Sequence, residues 1–376
     1  MKESELTTPY FIVYEDKLRR NIELIMDVAR RSGAEIIMAF KANALWRTFD
    51  IFREYGVKFT ASSLNELQLG QKHLGQKAHS YCPAYTPLTI SEYIGGSSHI
   101  TFNSLSQAER FAPQAVAAGV SAGLRVNPQC SVIETDIYNP ALPGSRFGVT
   151  ADMIGETLPD YIEGLHFHAL CESGADDLRK VLAAFEEQFG RYLPQMKWVN
   201  MGGGHLMTRE GYDVDLLVET LRNFRARYPW LQVILEPGSA WTWRTGDLVT
   251  SVVDVVENQG ISTAIIDASF PCHMPDCLEM PYTPAITEAV EPAPGLPSYR
   301  LGGNSCLSGD FCGPWSFDHS LKAGERLRLE DMNHYTTVKT NMFNGIQHPD
   351  IVFCDRTGEC RLLRRFTFED YENRMS

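Results

Sequence analysis

Residues 36–41 read IIMAFK, an apolar run of strand length that ends on a lysine. A second β-like run, VKFTA, follows at 57–61, and others at 79–82, 100–103, 123–127, 164–169, 198–202 and 233–236 make eight. Amphipathic stretches such as 64–74 and 216–228 lie between several of them, with apolar residues at helical spacing. Strand–helix alternation eight times over predicts an α/β fold, a (β/α)8 TIM-like barrel, with an open doubly wound sheet as the structural competitor.

After Glu236 the texture changes. Residues 247–257 (DLVTSVVDVVE), 263–267, 326–329, 350–354 and 361–366 read as strands without long helices between them, and a proline-rich section at 271–297 interrupts them. The expected organisation is a barrel over 21–240 and a C-terminal β-rich domain, sandwich- or barrel-like, over 241–376. An early strand at 10–14, within residues 1–20, is expected to join the β-rich sheet.

The chain has 376 residues, 44% hydrophobic and 22% charged, an ordinary globular composition that fits a barrel plus an addition. The net charge of −13 argues against nonspecific nucleic-acid binding. No apolar run reaches the ~18 residues of a membrane span, and MKESELTTPY lacks the apolar core of an export signal. Nine scattered cysteines with no CxxC pair read as reduced thiols in the cytoplasm and argue against a structural zinc site.

Active sites of barrels of this kind lie at the carboxyl ends of the strands. Those ends carry Lys41, His166 and His168, Gly202–Gly203–Gly204, and Glu236 within VILEPG. A lysine at a dry strand end can act as an amine nucleophile, or it can simply reach water. Three glycines can bring N–H groups to a phosphate, or make a tight turn. Glu236 can hold a protonated ring nitrogen, or be a buried carboxylate bonded to the protein. His168 can stack on a planar ligand; metal binding by the HxH pair is the rival, which needs further ligands.

In the β-rich half, 302–313 (GGNSCLSGDFCG) surrounds Cys306, a cysteine that can serve as acid or nucleophile, or be an inert thiol. Tyr335, in 332–345, can donate its hydroxyl to a phosphate or sit in the core. His273–Asp276 (HMPD) can be a substrate loop or a proline-stiffened surface loop.

Taken together, these positions resemble the pyridoxal-phosphate enzymes of the alanine-racemase fold, in the ornithine and diaminopimelate decarboxylase branch. AFKAN resembles that family's lysine motif, GLHFHAL its histidine segment, Gly202–Gly204 its phosphate glycines, LEPG its EPGR and CLSGD its CESGD. The resemblance implies that Lys41 carries pyridoxal phosphate and His168 stacks on its ring. It further implies that Glu236 partners the pyridine nitrogen, Tyr335 the phosphate, and Cys306 reaches a neighbouring subunit's site, which implies a homodimer. Ser239 replaces the arginine after EPG, Leu307 replaces the acid after the cysteine, and the carboxylate-binding RPxLY pattern of diaminopimelate decarboxylase is absent.

HMPDCLEMPY, SRFG at 145–148 and TNMFNG make the chain most similar to the carboxynorspermidine and carboxyspermidine decarboxylases. That branch usually has glutamate at the position of Ser239; the branch's other expected polyamine contact, Asp276, is retained in this chain. The resemblance implies decarboxylation of a carboxylated triamine in polyamine biosynthesis, with Cys306 returning a proton to the α-carbon. Asp276, His273, Glu172, Ser239 and Asp310 are the substrate-side candidates, Glu172 and Asp310 on the general ground that acids suit a polycation. The alternatives are a diaminopimelate or other basic amino-acid decarboxylase, a racemase, a pyridoxal-phosphate binding protein without turnover, and a metal-dependent hydrolase using His166 and His168.

Overall fold

The computed structural model describes residues 1–133 and 136–376, which form two compact units, Asn21–Trp241 and Met1–Arg20 with Thr242–Ser376. The first unit is a ring of parallel strands. Glu35–Ile36 and Met38–Ala39 are two halves of one strand, followed by Phe59–Ala61, Ala78–Tyr81, Ser97–Phe102, Ser121–Arg125, Gly164–His166, Trp198–Asn200 and Gln232–Leu235. Ile37 and Ala39 donate their N–H groups to Leu235 and Pro237, while Met38 and Phe40 donate theirs to Lys58 and Thr60. One strand is thus bonded on both sides and closes the barrel.

The helices between strands start where the sequence offers caps. Ser63 accepts from Glu66 N–H at 3.2 Å, and the Glu66 carboxylate reaches back to Ser62 N–H at 2.6 Å. This Ser-x-x-Glu arrangement starts Leu64–Leu74, and Gly75, with φ +70°, ends it. Ser104 caps Leu105–Ala117 and Asp213 caps Val214–Arg227 in the same way.

Under the ring, Trp198 lies flat against two glycines. A Cβ on Gly164 would meet the indole at 2.0 Å, and one on Gly123 at 2.2 Å. Among the described residues, no helix is long and apolar enough to cross a membrane.

The second unit is a nine-stranded mixed sheet. Tyr10–Tyr14 is central in it, antiparallel to Gly246–Asn258 and parallel to Asp350–Cys354. The long Gly246–Asn258 strand pairs with Arg326–Leu329 in its first half and with Ile261–Ile266 in its second. Its inward side chains pack with Phe11, Ile266, Leu301, Trp315 and Leu327 in one core.

Sequence reading missed Ala289–Val290, Ser298–Gly302 and Phe311–Phe317. Gly313–Pro314 looks like a strand breaker, but it falls at a bulge. The pairing skips there from Tyr299–Trp315 to Leu301–Cys312, so no ladder bond is lost to the proline.

Gly164→Ala should overpack the barrel floor and lower stability by about 1–3 kcal/mol. A urea midpoint equal to that of the wild type would show that Trp198 can move aside.

Candidate functional site

Lys41 follows Phe40, whose ring is clamped between Phe49 and Phe59 with centroids at 4.8 and 4.6 Å. That clamp and the two-sided backbone bonding hold the strand end rigid. The lysine keeps accessible surface while packed among protein atoms, so burial lowers its amine pKa. The nearby Glu236 and Glu66 charges oppose that shift, and Arg125 adds to it.

Glu236 ends the last strand of the ring. Its Oε1 accepts from Asn200 Nδ2 at 2.7 Å. Burial pushes the carboxyl pKa up, while donation from Asn200 and Thr60 and the Lys41 charge pull it back. His166 Nε2 lies 3.8 Å from its other oxygen. His168 accepts from Gly203 N–H through Nδ1 at 2.9 Å, and burial holds its pKa well below the usual imidazole range. A neutral ring with its tautomer set by a backbone N–H is the result.

The glycine turn differs from the expectation of three N–H groups free for an anion. Gly203 N–H is spent on His168, and Gly202 N–H donates to Asn200 Oδ1 at 2.9 Å. Of the three, Gly204 N–H is the one without a hydrogen-bond partner among the described residues. The glycines are also required by packing. A Cβ on Gly202 would meet the Phe167 carbonyl at 2.5 Å, on Gly203 that of Glu236 at 2.5 Å, and on Gly204 that of Leu170 at 2.3 Å. Their smallness lets the strand ends bearing His168 and Glu236 close on the same turn.

Arg125 and Tyr81 were not singled out from the sequence. Arg125, 4% exposed, donates to the Tyr81 hydroxyl at 2.6 Å and stacks over Phe147 at 4.5 Å. Asn103 accepts from Tyr81 at 2.8 Å and from Gly148 N–H at 2.9 Å, which pins the SRFG segment to the strand ends. Both residues close their strands, so a census of all strand ends would have found them.

Glu172 and Ser239, expected on the substrate side, come together. Ser239 Oγ donates to Glu172 Oε1 at 3.4 Å, and Glu172 has φ +47°, a strained backbone for a residue with a Cβ.

In the second unit, Cys306 is exposed, and its N–H donates to Asn344 Oδ1 at 2.8 Å. Tyr335 is half-buried with φ +51°. Asp276 forms an ion pair with Lys339, which also reaches Glu279 at 2.5 Å.

Two expected substrate residues have other work. The Asp310 carboxylate is buried and accepts from Ser269 Oγ at 2.9 Å, Phe270 N–H at 2.8 Å and Ser305 N–H at 3.2 Å, so it folds the cysteine loop. His273 is fully buried, accepts from Ser269 N–H at 3.1 Å, and has its pKa pushed down to about 3 by burial. It is a neutral core histidine.

An amine, a buried carboxylate and a neutral imidazole at the carboxyl ends of barrel strands fit pyridoxal phosphate: an aldehyde, a ring nitrogen and a ring face. Among the described residues, no three His, Cys, Asp or Glu side chains gather as a metal would need. Residues 11–333 match the family described as pyridoxal-dependent decarboxylase, C-terminal sheet domain. The chain belongs to the pyridoxal-dependent decarboxylases.

Within that family, this decarboxylase is 45% identical to carboxyaminopropylagmatine decarboxylase of Synechocystis sp., over 99% of this chain and 96% of the relative. It is 42% identical to carboxynorspermidine/carboxyspermidine decarboxylase of Campylobacter jejuni, over 98% and 99%. The crystal structure of carboxynorspermidine decarboxylase from C. jejuni, complexed with norspermidine, superposes with a TM-score of 0.90 at 40% identity, covering 98% of this chain and 100% of that one.

The buried His205 has its pKa pushed down to about 4 by burial. In the unfolded chain an imidazole takes its proton near ~6.5, so between these values the unfolded state binds more protons. Stability should be full above about pH 6.5 and fall as pH drops toward 4, by up to roughly 1.4 kcal/mol per pH unit for each such histidine. Urea midpoints measured across that window check this, and a flat profile would contradict it.

Proposed function

We propose that this decarboxylase converts carboxynorspermidine or carboxyspermidine to norspermidine or spermidine. The observation that carries the reading is the near-complete structural match to an enzyme complexed with norspermidine. Bound pyridoxal phosphate supplies an electron sink for the pair left when CO₂ departs. Lys41 holds the cofactor through its amine, which lowered basicity suits to nucleophilic use. Glu236 keeps the ring nitrogen cationic, and neutral His168 covers the ring face without competing for that charge. Gly204 N–H receives the phosphate. Cys306 returns the proton that replaces the carboxylate at the α-carbon.

The substrate's ammonium groups call for acids. Asp276, and Glu172 with Ser239, are the proposed partners. The Glu172–Ser239 contact brings a carboxylate to the place where the related branch carries its own acid. Cys306 acts in a neighbouring copy's site, so the working form is a homodimer. All nine cysteines are free thiols, which suits a cytoplasmic enzyme.

A second reading has its own support. The relative at 45% identity is named for carboxyaminopropylagmatine, which ends in a guanidinium where carboxyspermidine ends in an ammonium. The two substrates share the α-amino acid head and the secondary amine, so the choice lies in the far end.

CO₂ release should be fastest with one of the carboxylated polyamines when carboxynorspermidine, carboxyspermidine, carboxyaminopropylagmatine, diaminopimelate and ornithine are compared. Preference for diaminopimelate would overturn the reading; preference for carboxyaminopropylagmatine would select the second one. Mixing inactive Lys41→Ala and Cys306→Ala chains should restore about a quarter of wild-type activity, because random pairing gives half mixed dimers with one intact site each. No recovery on mixing would contradict shared sites.

A further inference from the structure

Asn200 is neither acid nor base, and it touches two parts of the site at once. It closes the Trp198–Asn200 strand, 2% exposed, between His166 and Ile234 on the neighbouring strands. Its Nδ2 donates to Glu236 Oε1 at 2.7 Å and its Oδ1 accepts from Gly202 N–H at 2.9 Å. The backbone completes the tie, since Glu236 N–H donates to the Gly202 carbonyl at 2.7 Å.

The two partners set the amide's orientation. An ionised carboxylate only accepts and a peptide N–H only donates, so nitrogen faces Glu236 and oxygen faces Gly202. An apolar side chain would leave both partners buried and unsatisfied. An aspartate could serve both only while carrying a proton. A cationic donor would neutralise the carboxylate that the ring nitrogen needs, whereas the amide leaves its full charge in place.

We propose that Asn200 is a positioning residue for pyridoxal phosphate: one amide joins Glu236, at the ring-nitrogen end, to the turn that meets the phosphate end, and so sets the span between them. This rests on the roles given above to Glu236 and the glycine turn. The geometry behind it is independent of them, because Asn200 bridges strand ends seven and eight whatever lies between.

The test is the dissociation constant and visible spectrum of pyridoxal phosphate on the full-length chain, from about pH 6 to about pH 9. Asn200→Leu should weaken binding about 10- to 100-fold at every pH, the loss expected for a hydrogen bond to a charged group. Asn200→Asp should bind nearly as the wild type at the acid end, where it can carry a proton, and progressively worse as pH rises. Wild-type affinity and spectrum in the folded leucine variant, or an aspartate variant that tracks the wild type at every pH, would overturn the proposal. Should the leucine variant not fold by circular dichroism, the aspartate pH profile decides alone.

Glu236→Gln in the same assay separates the two levels. If it leaves binding and spectrum unchanged, the role of Glu236 is wrong and the proposal falls with it. If it changes them while both Asn200 variants behave as the wild type, the Asn200 proposal fails and the reading of Glu236 stands.

Discussion

The site depends on a strand that is bonded on both sides. The segment from Ile37 to Phe40 gives alternate N–H groups to Leu235 and Pro237 on one flank and to Lys58 and Thr60 on the other. Without that closure the first and last strands of an open sheet would lie at opposite edges. With it, Lys41 at the first strand end feels the charge of Glu236 at the last. The amine and the carboxylate are 195 positions apart in the chain, and ring closure is what makes them neighbours.

Around that pair the polar groups are held by uncharged partners. Asn200 holds Glu236, Gly203 N–H holds His168, and Tyr81 holds Arg125. Each bond fixes an orientation or a tautomer without cancelling a charge. The glycines contribute by absence, since any side chain on them would strike the backbone of the strand ends they join. Their identity is therefore explained by packing first, and the chemistry uses what the packing allows.

The barrel was legible because period and spacing are local properties. All eight runs chosen for their apolar character lie in the ring, and the helix following the second strand has the predicted bounds, since Ser63, Glu66 and Gly75 mark its ends. The β-rich unit was less legible. Pro314 looks like a breaker until the bulge is seen, and a bulge depends on what the partner strand does. Residue chemistry misled in the same way. Asp310 looked like a substrate acid because its type suits a cation, but its oxygens are committed to Ser269, Phe270 and Ser305. His273 belongs to a retained motif and is nonetheless a buried core ring.

From the chain alone came the fold class, the family resemblance, and the candidacy of Lys41, His168 and Glu236. These follow from strand periodicity and from residue types at strand ends, which a sequence carries explicitly. Tertiary structure decided which polar atoms are still available. It spent two of three glycine N–H groups inside the protein, brought Glu172 to Ser239, and joined Asn200 to Glu236 and Gly202 and Arg125 to Tyr81. The physical reason is that a hydrogen bond consumes a donor or an acceptor, and which groups are consumed is set by contacts between distant segments, not by the order of residues.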